Sequence, residues 1–92
     1  MNLWKIWKMY NVKILPNAEK DITDIYTYLK YRLHVPELAE NFRKEVISTV
    51  DTLKENPHRG SKHYHGARKI MYKKYRIIYK VHGDTVYIIG MD

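Results

Sequence analysis

The spacing of the apolar residues changes at Gly60, and this change predicts a helical half followed by a sheet. Before Gly60 the apolar residues recur at steps of three and four, which places them on one face of a helix. One such stripe runs from Ala18 to Leu33, and a second one follows Pro36 and ends at Leu53. After Gly60 the apolar residues alternate at a period of two, which is typical of half-buried strands.

The expected elements are one strand, two helices and three further strands, in the order β-α-α-β-β-β. We expect the first strand at Tyr10–Leu15, ended by Pro16, with Asn17 as the N-cap of the first helix. Few residues join the helices, so they should form an antiparallel hairpin, and Asn56-Pro57 ends it. The later strands are expected at Ala67–Tyr72, Tyr75–His82 and Thr85–Gly90. The predicted fold class is α+β, an antiparallel sheet packed against a helical hairpin.

The size and composition limit the classes of protein that this chain can belong to. Ninety-two residues predict a single domain, and the absence of cysteine excludes a disulfide framework or a thiolate metal site. No apolar run has the length of a membrane span, and the N-terminus lacks the pattern of a signal peptide. We therefore expect a cytoplasmic protein with no membrane partner.

The formal net charge of +7 is concentrated in one segment. Residues 56–82 contain eight Lys or Arg residues and four His, but no Asp or Glu. The basic residues are Arg59, Lys62, Arg68, Lys69, Lys73, Lys74, Arg76 and Lys80. A surface of this kind fits a polyanion, and nucleic acids are the commonest polyanions in a cell. The alternative is a solvated basic surface that binds nothing.

The strand Tyr75–His82 supplies the candidates for chemistry. Its alternation places Arg76, Lys80 and His82 on one face, opposite the apolar face that the helices cover. Arg76 can hold a phosphate with two hydrogen bonds, and His82 is a candidate acid or base near neutral pH. The alternatives are an exposed strand arginine and a histidine without a task.

Residues outside this strand are weaker candidates. Arg68 and Lys69 point to opposite faces of their strand, so only one of them can join Arg76. Tyr64 and Tyr72 are candidates for stacking on an unpaired base, although ordinary packing is the alternative use. The predicted nucleic-acid-binding residues are Lys62, Lys69, Lys73, Lys74 and Lys80. The spacing of His58, His63 and His65 matches no ligand pattern, so we expect neither a metal nor a cofactor.

Several short motifs carry a resemblance to a known family. The strongest is Arg68-Lys69-Ile70 followed by the run 74–81, which reads Lys-Tyr-Arg-Ile-Ile-Tyr-Lys-Val. It follows the motif Ala18-Glu19-Lys20-Asp21-Ile22 in the first helix and the pair Asn56-Pro57. In this order, residues from about 9 to 91 resemble the RelE/ParE superfamily of bacterial type II toxins.

The resemblance implies a toxin that a cognate antitoxin neutralises. RelE-like members cut mRNA in the ribosomal A site without a metal, whereas ParE-like members poison DNA gyrase and are not nucleases. We expect a ribosome-dependent mRNA endoribonuclease that needs no cofactor, with Arg76, Arg68 and His82 as its catalytic residues. The alternatives are a ParE-like gyrase inhibitor and a degenerate member that only binds its antitoxin or nucleic acid.

The resemblance also fails at the two ends of the chain. Family members usually continue past the last strand into a short tail with Arg, His or Tyr, and Asp92 stands about where such a residue is expected. The group that often completes catalysis is therefore absent from that position. Residues 1–8 are expected to be an N-terminal extension, or the result of a start wrongly placed before Met9, and residues 9–92 a single toxin domain.

Overall fold

The computed structural model describes residues 9–92, and the expected extension at residues 1–8 lies outside them. The elements are β1 (Asn11–Ile14), α1 (Pro16–Thr27), α2 (Pro36–Asp51), β2 (Ser61–Lys62), β3 (Arg68–Tyr72), β4 (Tyr75–His82) and β5 (Thr85–Met91). A π-helical turn, Tyr28–Arg32, continues α1, and a 3₁₀ turn, Thr52–Lys54, continues α2. The predicted α+β class is confirmed, with the two-residue strand β2 as an addition.

The five strands form one sheet in the order β1-β5-β4-β3-β2. Neighbours from β5 to β2 are antiparallel, but β1 pairs with β5 in parallel. The expectation of an antiparallel sheet is therefore wrong at this edge. The helical hairpin, and not a tight turn, follows β1, so no hairpin geometry dictates the direction of this strand.

Both helices begin with a proline. Pro16 and Pro36 occupy the first turn, where the missing N–H costs no hydrogen bond. The N-cap of α1 is Leu15, without a side-chain hydrogen bond, so the prediction of Asn17 as the cap is wrong. The fixed φ of Pro16 starts the helix two residues earlier.

The core lies between the helical hairpin and one face of the sheet. Its buried members are Ala18, Leu29, Ala39, Phe42, Val46, Val50, Leu53, Ile70, Tyr72, Ile77, Tyr79, Val86, Ile88 and Met91. The two predicted apolar stripes are confirmed except at Leu33, which is 46% exposed. Leu33 follows the π-helical turn, whose wider i→i+5 geometry moves it off the buried face.

The helices leave the second face of the sheet uncovered, and we call it the open face. Cross-strand register assigns to it Lys13, Lys69, Met71, Arg76, Ile78, Lys80 and Tyr87. This confirms the predicted alternation of β4, in which Arg76 and Lys80 lie opposite the buried Ile77 and Tyr79. Within residues 9–92, no helix is long and apolar enough to cross a membrane.

Candidate functional site

Arg76 lies at the start of β4 on the open face and is paired with Asp92. Its backbone N–H donates to the Asp92 carbonyl at 2.7 Å, and the Asp92 N–H donates back at 3.0 Å. In the side chains, Arg76 Nε donates to Asp92 Oδ1 at 2.8 Å and Nη2 donates to Oδ2 at 2.7 Å. This bidentate, charge-assisted pair uses the geometry with which an arginine otherwise holds a phosphate.

The charges around the pair keep it ionised. The hydrogen bond from Arg76 is the main reason that the pKa of the Asp92 carboxyl lies below its usual range, and His63 also lowers it. Asp92 in turn raises the pKa of Arg76, with a smaller contribution from Tyr64. The Tyr64 side chain, in the 3₁₀ turn that precedes β3, is 78% exposed.

The end of β5 is held by a carboxylate from α1. The register of β4 against β5 shifts between Ile78 and Tyr79, which marks a β-bulge. Close to this bulge the Met91 N–H donates to Asp21 Oδ2 at 3.0 Å. Because Asp92 directly follows Met91, this bond helps to fix Asp92 in its position at the end of β5.

Arg68 lies on the opposite face from Arg76. It pairs across the sheet with Tyr79, whose side chain is fully buried against the helices. Its Nη1 donates to the backbone carbonyls of Gly60 at 2.8 Å and His58 at 3.2 Å. Arg68 thus holds the loop that leads into β2, and the expectation that it forms one catalytic site with Arg76 is not met.

His82 is exposed at the far end of β4. Six residues separate it from Arg76, which is about 20 Å along a strand. A general acid or base must reach the reacting atoms within hydrogen-bond distance. The structure therefore does not bring His82 and Arg76 together, and a catalytic role for either residue stays a prediction.

Two of the predicted nucleic-acid-binding lysines lie on the open face. Lys69 pairs with Ile78 and is a diagonal neighbour of Arg76, at roughly 7–8 Å between Cα atoms. Lys80 lies four residues from Arg76, about 13 Å along β4. Sequence reasoning missed Lys13, which joins this face because β1 pairs with β5.

The other three predicted lysines lie elsewhere. Lys62 is exposed on the edge strand β2 and pairs with Arg68, whose face it shares. Lys73 and Lys74 form the turn between β3 and β4. Lys73 Nζ lies 3.7 Å from Glu45 Oε2 of α2, so it faces the helical side of the molecule.

Tyr72 is buried and faces the helices, so of its two candidate uses the structure shows packing and not stacking on a base. Its hydroxyl donates a hydrogen bond to Glu45 of α2. Burial and this hydrogen bond raise the pKa of Tyr72 to about 12. Tyr64 is exposed, so stacking on a base stays a candidate use of its ring.

Two apolar pockets lie on the helical side of the molecule. One, of about 510 Å³, is lined by Ile14, Glu19, Ile22, Thr23, Tyr26, Arg43 and Ile47. The other, of about 350 Å³, is lined by Leu29, Leu33, Leu38, Phe42, Tyr72, Lys73, Lys74 and Tyr75. Neither contains Arg76 or Asp92. Among residues 9–92, no three His, Asp or Glu side chains converge in a way that would hold a metal ion.

Comparison with known proteins identifies the family. The model described as the ParE toxin of the type II toxin-antitoxin system, parDE, matches residues 12–90. The chromosomal ParDE toxin–antitoxin system from P. aeruginosa is similar with a TM-score of 0.79 and 21% identity, over 92% of this chain and 96% of that chain. The toxin–antitoxin complex RelBE2 from Mycobacterium tuberculosis is similar with a TM-score of 0.65 and 20% identity, over 91% and 96%.

No curated protein matches the chain. At identities near 20%, the two solved structures show a common fold. The family model is more specific, because it extends from β1 to β5 and so includes every helix and strand described above. The chain therefore belongs to the ParE toxin family of type II toxin–antitoxin systems, within the RelE/ParE superfamily.

Proposed function

We propose that this chain is a ParE-like toxin that inhibits DNA gyrase by binding to it, and that it does not cleave RNA. The observation that carries the proposal is the ion pair between Arg76 and Asp92. Cleavage of a phosphodiester needs positive charge that is free to stabilise the transition state. Here Asp92 already neutralises the arginine expected to supply that charge.

The positions of the other expected catalytic residues support the same proposal. Metal-free RNA cleavage requires a base and an acid close to the phosphate that Arg76 would hold. Arg68 is engaged with loop carbonyls on the opposite face, and His82 is about 20 Å away along β4. Inhibition by binding requires no such assembly of groups.

A cognate antitoxin is part of this proposal. Both similar solved structures are of toxin–antitoxin systems, and the family is defined by such pairs. We propose that this chain also binds a cognate antitoxin. The net charge of +7 favours a partner segment that is acidic, because complementary charge speeds association and suppresses wrong partners.

A ribosome-dependent mRNA endoribonuclease is the second candidate. It is supported by Lys69 and Lys80 on the open face and by the exposed ring of Tyr64 in the turn before β3. These are the residue types with which proteins hold single-stranded RNA. In this case the RNA phosphate has to displace Asp92 from Arg76 before cleavage.

The two candidates are separated by assaying the purified toxin against both targets. Gyrase is incubated with relaxed plasmid, and supercoiling and covalent cleavage complexes are measured. Ribosomes programmed with mRNA are incubated in parallel, and new 5′ ends are mapped. We expect gyrase inhibition with intact mRNA. Cleavage at the A site with unaffected gyrase refutes the proposal and supports the second candidate.

A variant and a cellular assay sharpen this test. If the second candidate is correct, Arg76→Gln loses mRNA cleavage because the phosphate contact is removed. In cells, induction of the gyrase inhibitor produces DNA breaks and an SOS response before translation falls. A chain that is inert in both purified assays, and harmless on induction, is instead a degenerate member.

A further inference from the structure

We propose that Asp92 is the specificity-determining residue of the open face: it holds Arg76 and thereby weakens the binding of single-stranded nucleic acid to a surface otherwise suited to it. The inference rests on the proposed function, since it explains why a basic toxin surface of this fold does not act on RNA. Asp92 is neither a predicted site residue nor a member of the core. Its role follows from its place across the sheet from Arg76.

The open face otherwise has the composition of a nucleic-acid-binding surface. Its cations are Lys13, Lys69, Arg76 and Lys80, and its other side chains include Met71 and Tyr87. Tyr64 adds an exposed aromatic ring in the turn that precedes β3. Such surfaces hold the backbone with cations and stack bases on aromatic rings. Among the strand residues of 9–92 that register assigns to this face there is no Asp or Glu, and Asp92, directly after β5, adds a carboxylate beside them.

Asp92 blocks the site through the donors that it occupies. It accepts hydrogen bonds from Nε and Nη2, which form one of the two edges of the guanidinium that can bind a phosphate in bidentate fashion. A phosphate that approaches the other edge, formed by Nη1 and Nη2, comes close to an ionised carboxylate and is repelled by it. The same negative charge weakens the attraction between a phosphate and Lys69, which is the diagonal neighbour of Arg76.

The block is separable from the fold, which makes it testable. The side chains of Arg76 and Asp92 are 43% and 55% exposed, and exposed ion pairs contribute little to stability. Asp92→Asn keeps the size of the side chain and both backbone hydrogen bonds to Arg76. We therefore expect Asp92→Asn to release the guanidinium while the sheet stays intact.

The experiment measures binding of a short fluorescein-labelled oligouridylate to the full chain by fluorescence anisotropy at low salt. The variants are Asp92→Asn and the double variant Asp92→Asn/Arg76→Gln. The matched control is Asp51→Asn, because Asp51 is also an exposed aspartate in an ion pair, 3.4 Å from Lys54 Nζ, but lies at the end of α2. Each single variant removes the same charge.

We expect Asp92→Asn to tighten binding by about fivefold, the upper limit for loss of an exposed ion pair. The slope of log affinity against log salt should steepen by about 0.7, which corresponds to one further phosphate contact. Asp51→Asn should change the affinity by less than about twofold, because screening weakens its distant charge. The double variant should return to the affinity of the wild type or below it.

Three results overturn the inference. An equal gain in affinity for Asp51→Asn and Asp92→Asn shows a general effect of charge. A gain in affinity that persists in the double variant shows that Arg76 does not bind the oligouridylate. No gain in affinity for Asp92→Asn shows that Asp92 does not block the open face. Circular dichroism melts confirm that each variant is folded. Gyrase inhibition by the wild type is measured separately, so its absence refutes the proposed function without changing the RNA-binding result.

Discussion

Replacement of Gly60 by alanine is expected to destabilise the protein strongly. A Cβ added at Gly60 would lie 2.6 Å from the Tyr79 hydroxyl oxygen and 2.7 Å from the backbone carbonyl oxygen of Lys69. Neither group can move easily, because Tyr79 is fully buried and Lys69 is fixed in β3. The Gly60 N–H also donates to the Tyr79 hydroxyl at 2.9 Å, and relief of the clash would break this bond.

The size of the effect follows from three contributions. Overpacking of a well-packed site costs about 1–3 kcal/mol. Loss of the buried hydrogen bond adds about 1 kcal/mol. A chain with alanine has fewer unfolded conformations than one with glycine, and this offsets about 0.4–1 kcal/mol of the loss of stability. The free energy of unfolding of Gly60→Ala should therefore fall by about 2 kcal/mol, which lowers the Tm of a domain of this size by about 8–16 °C.

The measurement is urea unfolding followed by circular dichroism, with a thermal melt as a second measure. The matched control is Gly90→Ala, because a Cβ at Gly90 would lie 3.5 Å from Asp21 Oδ2, which is an ordinary contact. We expect Gly90→Ala to change the free energy of unfolding by less than about 1 kcal/mol in either direction. The reasoning is refuted if Gly60→Ala is as stable as the wild type, or if both variants lose the same free energy.

Further predictions concern single hydrogen bonds around the sheet. Tyr79→Phe leaves the buried Gly60 N–H without its partner and should lower the free energy of unfolding by about 1–3 kcal/mol, measured by urea unfolding. The pKa of Asp92 is lower when folded than when unfolded, so its stabilisation is present above the unfolded pKa and is lost as the pH falls through the folded pKa. The wild type should thus exceed Asp92→Asn in stability at pH 7, and the two should converge in acid; a difference that persists at low pH contradicts this. Asp21→Ala should speed amide exchange at Met91, measured by NMR, and unchanged exchange there means that Asp21 does not hold the end of β5.

Local sequence patterns predicted the helices and four of the five strands of residues 9–92, because the pattern of each is set within its own segment. The stripe of α2 packs as predicted, with Phe42 and Val46 buried. The prediction that Leu33 is buried was wrong for a local reason that the spacing of apolar residues does not reveal. A single π-helical turn changes which of the following residues face the core. The two-residue strand β2 was missed because it is too short to show alternation.

The candidate site was predicted less well because it depends on pairing between distant strands. Alternation alone did not determine whether Arg68 or Lys69 lies on the same face of the sheet as Arg76. The register of β3 with β4 shows that Lys69 does. Lys13 lies on the open face because β1 pairs with β5, and no local sequence pattern predicts this pairing. Long-range pairs of this kind follow from the whole fold and not from any one segment.

The Arg76–Asp92 pair shows why a short motif does not determine function on this fold. The Tyr-Arg-Ile-Ile-Tyr motif fixes the position of Arg76 on β4, but the residue opposite it, directly after β5, is the hydrogen-bond partner of its guanidinium. An exposed ion pair is weak, so one substitution at position 92 is sufficient to release the arginine. Members of one superfamily can thus keep the same basic strand and differ in their targets, because function depends on the site and not on the fold. On our proposal, cross-strand neighbours such as Asp92 govern the choice between gyrase and RNA.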